Sequence, residues 1–235
     1  MPQLNVISSL AIKAAYLELA PEFERRSRQR VSTQWVGMAD IAKRMKAGES
    51  ADLVIGSAAL VEELARGRIL DAGQRRDLVK CGIGAAVRAG ALRPDIGSVE
   101  ALKRALLAAR SIIYSSGPSG VYFAELFPRL GLAEALKGKA VQAPPGVLVG
   151  ESVARGEAEL CFQQIAELRQ VRGIDYVGPL PPEVQLVTVF CGAVHAKAAQ
   201  PQAAAEWLRH LASREAEPVL RKHGLDPAVF RRGRQ

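Results

Sequence analysis

Ser111-Ile112-Ile113-Tyr114-Ser115-Ser116-Gly117-Pro118-Ser119-Gly120-Val121-Tyr122-Phe123-Ala124-Glu125-Leu126 is the stretch that decides how this chain folds. It reads as a short apolar strand, a Ser/Gly/Pro turn and the start of a helix. In that order the helix N-terminus, with its unpaired N–H groups and positive dipole end, points back at the strand edge. The turn 115–120 holds three serines and two glycines. Hydroxyls and bare N–H groups together suit the oxygens of an anion. A serine-capped strand-to-helix turn is also an ordinary structural device. The weight therefore falls on repetition, and the chain repeats the arrangement.

Working outward, residues 4–7 form a short strand, followed by Ser8 and Ser9 and a helix over about 10–25. Ile12, Tyr16, Leu19 and Phe23 recur on one face of that helix, and Pro21 is expected to kink or restart it. A second strand, 30–36, alternates Val31, Thr33 and Trp35. Gly37-Met38-Ala39 then turns into a helix over 40–47, with Asp40 as its expected N-cap. A third strand spans 52–56, and Ser57 opens a helix over 58–65. This β-α-β-α-β-α order implies a parallel sheet with right-handed crossovers. Ligands on such sheets bind beyond the carboxyl ends of the strands. Ser8, Ser9, Gly37 to Asp40 and Ser57 all fall there.

A longer strand-like run covers 78–88, and Ser98 caps a helix to about 109. After the opening stretch, Pro128 interrupts the helix. A short strand covers 140–142, Pro144-Pro145-Gly146 leads a helix over 147–155, and 160–162 is a strand. Gln163 and Gln164 begin the next turn, and 174–177 is another strand. Gly178-Pro179-Leu180-Pro181-Pro182 is the strongest linker signal. The β run 184–194 echoes 78–88, so two long strands near 78–88 and 184–194 bracket a second β/α unit as hinges. The expected division is 1–82 with 188–235 as one lobe and 83–187 as the other. Helices over 201–212 and 213–223 carry Trp207 and Leu211 back to the first lobe, and 228–235 reads as a loose basic tail.

With 235 residues, 49% of them hydrophobic, the chain can bury a sizeable core. The net charge is +8, and much of the excess sits at Arg25, Arg26, Arg28 and Arg30 and in Arg231, Arg232 and Arg234. These clusters lack interleaved aromatics or a recognisable nucleic-acid module, so no nucleic-acid partner is expected. Cys81, Cys161 and Cys191 are too few and too widely spaced for a zinc site or disulfide framework, and each lies in an apolar run. No run is long enough to span a bilayer, so no membrane insertion is expected. No secretory signal is visible, which places the sequence as it stands in the cytoplasm, or in the periplasm if a signal was removed.

The order of these pieces resembles the type II solute-binding proteins, most closely the molybdate-binding branch. The matching residues are Ser8-Ser9-Leu10 after the first strand, Gly48-Glu49-Ser50-Ala51-Asp52-Leu53-Val54, and Pro118-Ser119-Gly120. Further matches are Val153-Ala154-Arg155-Gly156-Glu157-Ala158-Glu159-Leu160, Ala204-Ala205-Glu206-Trp207-Leu208, and Lys222-His223-Gly224-Leu225. The resemblance implies an α/β fold of two β/α lobes joined by two crossover strands, with an anion held in the cleft between the lobes. Carried onto this chain, the contacts fall on Ser9, the Gly37 to Asp40 turn, Ser119, Gly146 and Gln164. Ser8, Met38, Ala39, Ser57, Ser116, Gly117, Gly120 and Gln163 join them from the neighbouring strand ends. The chain departs from the branch where Met38-Ala39 replace a serine and Gln163-Gln164 replace a tyrosine. Glutamine offers both donor and acceptor, which suits a carboxylate-bearing organic anion at least as well as a tetrahedral oxyanion.

Catalytic signals are thin. His195 follows the hinge strand and His210 and His223 lie on C-terminal helices, none near a serine or cysteine of the expected site; no phosphate loop is present, and Gly82-Ile83-Gly84 lacks the rest of a dinucleotide fingerprint. No cofactor, metal or catalytic residue is assigned. Lys13 and Lys43 lie one turn into helices that follow two of these turns and read as solvated. The expected function is binding of molybdate, tungstate or an organic carboxylate by lobe closure, for delivery to an ABC permease. The alternatives are a cytoplasmic isomerase of an unsaturated tricarboxylate, since aconitate isomerase resembles the same family, and a ligand-sensing module of the LysR type.

Overall fold

The computed structural model describes residues 2–228. Arg231, Arg232 and Arg234 of the basic tail lie outside the described residues. In chain order the elements are β1 (Gln3–Ser9), α1 (Lys13–Ser27), β2 (Arg30–Val36), α2 (Met38–Lys46), β3 (Leu53–Ser57), α3 (Ala58–Arg66) and β4 (Arg76–Arg88). Then follow α4 (Val99–Ala108), β5 (Ile112–Tyr114), α5 (Pro118–Arg129), α6 (Ala133–Leu136), β6 (Ala140–Gln142), α7 (Val149–Ala154) and β7 (Leu160–Gln164). The rest are α8 (Ile165–Arg169), β8 (Ile174–Pro179), β9 (Val187–Val194), α9 (Pro201–Leu211) and α10 (Glu217–Lys222). The chain forms two compact units, Met1–Cys81 with Thr188–Gln235, and Gly82–Val187.

In the first unit β2, β1 and β3 run parallel in that order, as the alternating β/α pattern requires. β9 adds antiparallel to β3, with Leu53 opposite Val194 and Ser57 opposite Phe190. All five residues of β3 are buried, as expected of a strand covered on both faces. Ile41 and Met45 of α2 and Val61 and Leu64 of α3 pack with Ile7, Val54, Cys191 and Ala193. Elsewhere in the unit Trp207 of α9 meets Tyr16 edge-on at 4.8 Å and Phe23 at 4.7 Å, both from α1. A Cβ on Gly192 would lie 2.4 Å from Leu208 Cδ2, so the Leu208 side chain of α9 packs directly onto the bare backbone of β9 there. At the end of the sheet where β3 begins, buried Asp52 accepts from the backbone N–H groups of Asn5 (2.8 Å) and Gln200 (2.9 Å).

In the second unit β6, β5 and β7 are parallel, and the second half of β4 runs antiparallel to both β7 and β8. One cluster gathers Leu102, Leu106, Phe123, Leu126 and Phe162, the last two rings stacking at 4.0 Å between Phe123 and Phe162. Another joins Val149, Val153, Cys161 and Leu168. The three cysteines form no disulfide and are buried, and burial pushes the Cys161 thiol up to about 12.

Several local expectations are corrected. Pro21 and Pro128 lie inside continuous helices. Both are on exposed faces, where water can take the carbonyl whose partner proline removes. A turn of 3-10 helix, Leu10–Ile12, precedes α1. α2 starts at Met38 with Gly37 as N-cap, and Asp40 lies within its first turn. β7 runs on through Gln163 and Gln164. The supposed linker at 178–182 is ordered: β8 includes Gly178 and Pro179, and buried Leu180 donates its N–H to Ile83 O at 3.0 Å. Val184 belongs to a 3-10 turn, Pro182–Val184, before β9. The last helix is short, Glu217–Lys222.

Candidate functional site

The parallel register of the first unit sets Ser8 opposite both Trp35 and Ile55, and Ser9 opposite Val36. The carboxyl ends of β1, β2 and β3 therefore share one edge, and each is followed by a helix start. Ser9 is the N-cap of the 3-10 turn, its Oγ accepting from Ala11 N at 3.2 Å, while Ser8 Oγ donates to Ser9 O at 3.2 Å. Ser57 caps α3 by accepting from Leu60 N at 3.4 Å. Gly37 offers no side chain to α2, so the first-turn N–H groups at Met38 and Ala39 have no side-chain acceptor. Met38 itself turns toward Ser57, whose backbone N–H donates to the Met38 Sδ at 3.4 Å. A thioether is a weak acceptor, and here it covers a main-chain donor at the strand end. Lys13 Nζ lies 6.0 Å from the Trp35 ring centroid, within cation–π range.

The second unit repeats the device with different bonds. Tyr114 lies opposite Gln142 and Phe162, so β5, β6 and β7 also end along one edge. Ser115 N donates to Phe162 O at 3.2 Å, and the hydroxyls of Ser115 and Ser119 share a hydrogen bond of 2.9 Å. Both serines are buried, and Ser116 is half-buried. Gly117 is the N-cap of α5 and gives no side-chain bond. A Cβ on Gly120 would lie 1.5 Å from Ser115 O, so glycine alone permits this tight return. Gly146 holds φ +80° in the turn after β6.

Gln163 and Gln164 are buried. Gln163 Oε1 accepts from Val149 N at 2.9 Å, and its Nε2 donates to Val147 O at 3.4 Å. Glu167, the third residue of α8, is also buried and bonds the Gln163 side chain and the Gln164 backbone N–H. Burial pushes its carboxyl up to about 7, and those two bonds hold it from rising further.

Sequence reasoning placed Ser9, Met38, Ala39 and Ser57 at one edge of the first unit and Ser119, Gly146 and Gln164 at one edge of the second, where the structure has them. It missed Ser115 as the partner of Ser119, though the i, i+4 spacing was available. It also missed Glu167, whose only signal was a glutamate three residues after a helix start. The histidines have structural partners. His195 Nδ1 accepts from Lys197 N at 3.1 Å, His210 stacks on Trp207, and His223 meets Glu18 at 2.8 Å. Burial lowers the pKa of His195 and of His210. Among the described residues no group of three or more His, Cys, Asp or Glu is placed to hold a metal ion. No described helix is long and apolar enough to cross a membrane.

These two α/β units define a mixed α/β protein of the type II periplasmic-binding-protein class. The chain matches, over residues 4–226, the family described as bacterial extracellular solute-binding protein, and it belongs to that family. It is 37% identical over 230 residues to a protein named aconitate isomerase from a Pseudomonas species, covering 95% of this chain and 87% of that one. The periplasmic molybdate-binding protein of Azotobacter vinelandii superposes with a TM-score of 0.80 at 16% identity, covering 97% of this chain and 100% of the other. The sulfate-binding protein SubI of Mycobacterium tuberculosis gives 0.77 at 16% identity, covering 97% and 88%. These structural likenesses establish the fold.

Proposed function

We propose that this chain binds a small organic polycarboxylate of the aconitate kind, using donors from both units, in preference to a tetrahedral oxyanion. The observation that carries the reading is Met38 Sδ over the Ser57 N–H. A tetrahedral oxyanion needs donors on every side. Here one main-chain donor is covered by sulfur, and the hydroxyl expected in that turn is absent. A polycarboxylate concentrates its demand for donors at its carboxylate ends and leaves a carbon backbone that can lie against a thioether. The 37% identity to a protein named aconitate isomerase supports the same class of ligand.

In this proposal Ser9, the Met38–Ala39 turn and Ser57 contribute from one unit, and Ser116, Gly117, Ser119, Gly120, Gly146 and Gln164 from the other. The two units act as lobes hinged on β4 and β9, and the ligand favours closure by touching both. The use we favour is solute capture outside the cytoplasmic membrane and delivery to an ABC permease. A second reading, isomerisation of the bound anion, is favoured by the name of that relative.

A thermal-shift panel of molybdate, tungstate, sulfate, phosphate and di- and tricarboxylates tests the first reading. A ligand at a hundredfold its Kd adds about 2.7 kcal/mol. Stabilisation by a tricarboxylate alone supports the proposal, and stabilisation by molybdate and tungstate alone sinks it. Proton NMR of cis-aconitate with the protein over hours decides between capture and turnover.

A further inference from the structure

Gln163 is a buried amide whose hydrogen-bonding capacity the turn after β6 uses. The N–H of Val149 can only donate, so the amide oxygen of Gln163 must face it, and the bond is 2.9 Å. That orientation leaves the NH2 group toward two acceptors, Val147 O at 3.4 Å and the Glu167 carboxyl. One side chain on β7 thus grips both polar groups of the 147–149 backbone. Glu167 fixes that side chain from below and at the same time caps α8 through the Gln164 N–H. The gripped segment directly follows Gly146, whose φ of +80° few other residues tolerate. Val149 and Glu167 are buried, so the grip is shielded from water, where a hydrogen bond counts for more.

We infer that Glu167, acting through Gln163, is a positioning residue that sets the 143–149 turn for the ligand. The inference rests on the proposed function in one respect, that this turn touches the anion. Gln163 itself then serves the turn and not the ligand, and Gln164 beside it remains the contact residue of β7.

Hydrogen exchange of the Val149 amide in the ligand-free protein tests the grip. E167A and Q163L should each lower its protection by about tenfold while the β5–β7 ladder amides keep theirs. E167Q, which keeps one amide oxygen with two lone pairs as an acceptor, should restore most of it. Titration with cis-aconitate then tests positioning. E167A should weaken binding by about tenfold and E167Q should recover most of the loss. Unchanged Val149 protection in E167A and Q163L overturns the grip. Lowered protection with unchanged affinity overturns the positioning role. Should the wild-type protein bind no polycarboxylate, the proposed function fails, while the exchange result still decides the grip.

Discussion

The two sets of strand ends use the same parts and hold them differently. In the first unit the turns are secured from within: Ser9 accepts from Ala11 two residues on, and Ser57 from Leu60 three residues on. The tie between turns at this edge is the weak bond from the Ser57 N–H to Met38 Sδ, while the carboxylate staple, Asp52, sits at the other end of the sheet. In the second unit the local Ser115–Ser119 bond is joined by ties from a distance. Ser115 N bonds Phe162 O, and Gln163 grips Val147 and Val149 from 14 to 16 residues away. Locally capped turns can be altered one at a time, whereas a cross-linked set should respond together.

The sharpest way to break this contrast is at Gly120. Gly120→Ala forces a Cβ to 1.5 Å from Ser115 O and must shift the first turn of α5. We predict a loss of about 4 kcal/mol or more in urea unfolding. Gly117→Ala, at φ −79° with open space around it, should stay within about 0.5 kcal/mol. Equal effects at the two glycines would show that the turn is pliable.

Next in size is Asp52→Ala, which takes a buried carboxylate acceptor from two partly buried backbone donor bonds and should cost about 3 kcal/mol. Because Asp52 lies away from the strand ends to which the proposal assigns the ligand, ligand affinity at a temperature where the variant is folded should not change.

The buried Glu167 carboxyl should produce a pH effect of similar size. Its folded value of about 7 exceeds the ordinary 4.5, so the native state holds a proton that the unfolded chain has released between those values. Stability should therefore fall as pH rises from about 4.5 to 7, by about 3 kcal/mol in all, and level off above. In Glu167→Gln that slope should vanish from the pH dependence of the urea midpoint. An unchanged slope would mean that the carboxyl is not a buried acid.

The smallest expected effect is local. Ser57→Ala removes one cap and should cost about 1 kcal/mol in thermal unfolding, as should Ser98→Ala, which removes the Oγ bond to Ala101 N in the second unit. A loss several times larger at Ser57 would place that turn in a wider network.

What was legible in the sequence follows the same contrast. The β/α order of the first unit, the caps at Ser57 and Ser98 and the strands 30–36 and 140–142 could be read because propensity, capping and periodicity act within a few residues. Tertiary contacts were not legible. Pro179 reads as a linker signal, yet the pairing of β8 with β4 carries the strand through it. Gln163 and Gln164 read as a turn because they are polar, yet their burial is made possible by partners distant in the chain. Met38 reads as a missing hydroxyl, and only the structure shows its sulfur at the Ser57 N–H.

Isothermal titration of wild-type protein and Met38→Ser with cis-aconitate and with molybdate, side by side, tests the central claim most directly. The account predicts that wild type binds cis-aconitate and not molybdate. Met38→Ser, which uncovers the Ser57 N–H and adds a hydroxyl, should gain molybdate affinity and lose about 1 kcal/mol toward the carboxylate. Tight molybdate binding by wild type, with no response to cis-aconitate, would contradict it.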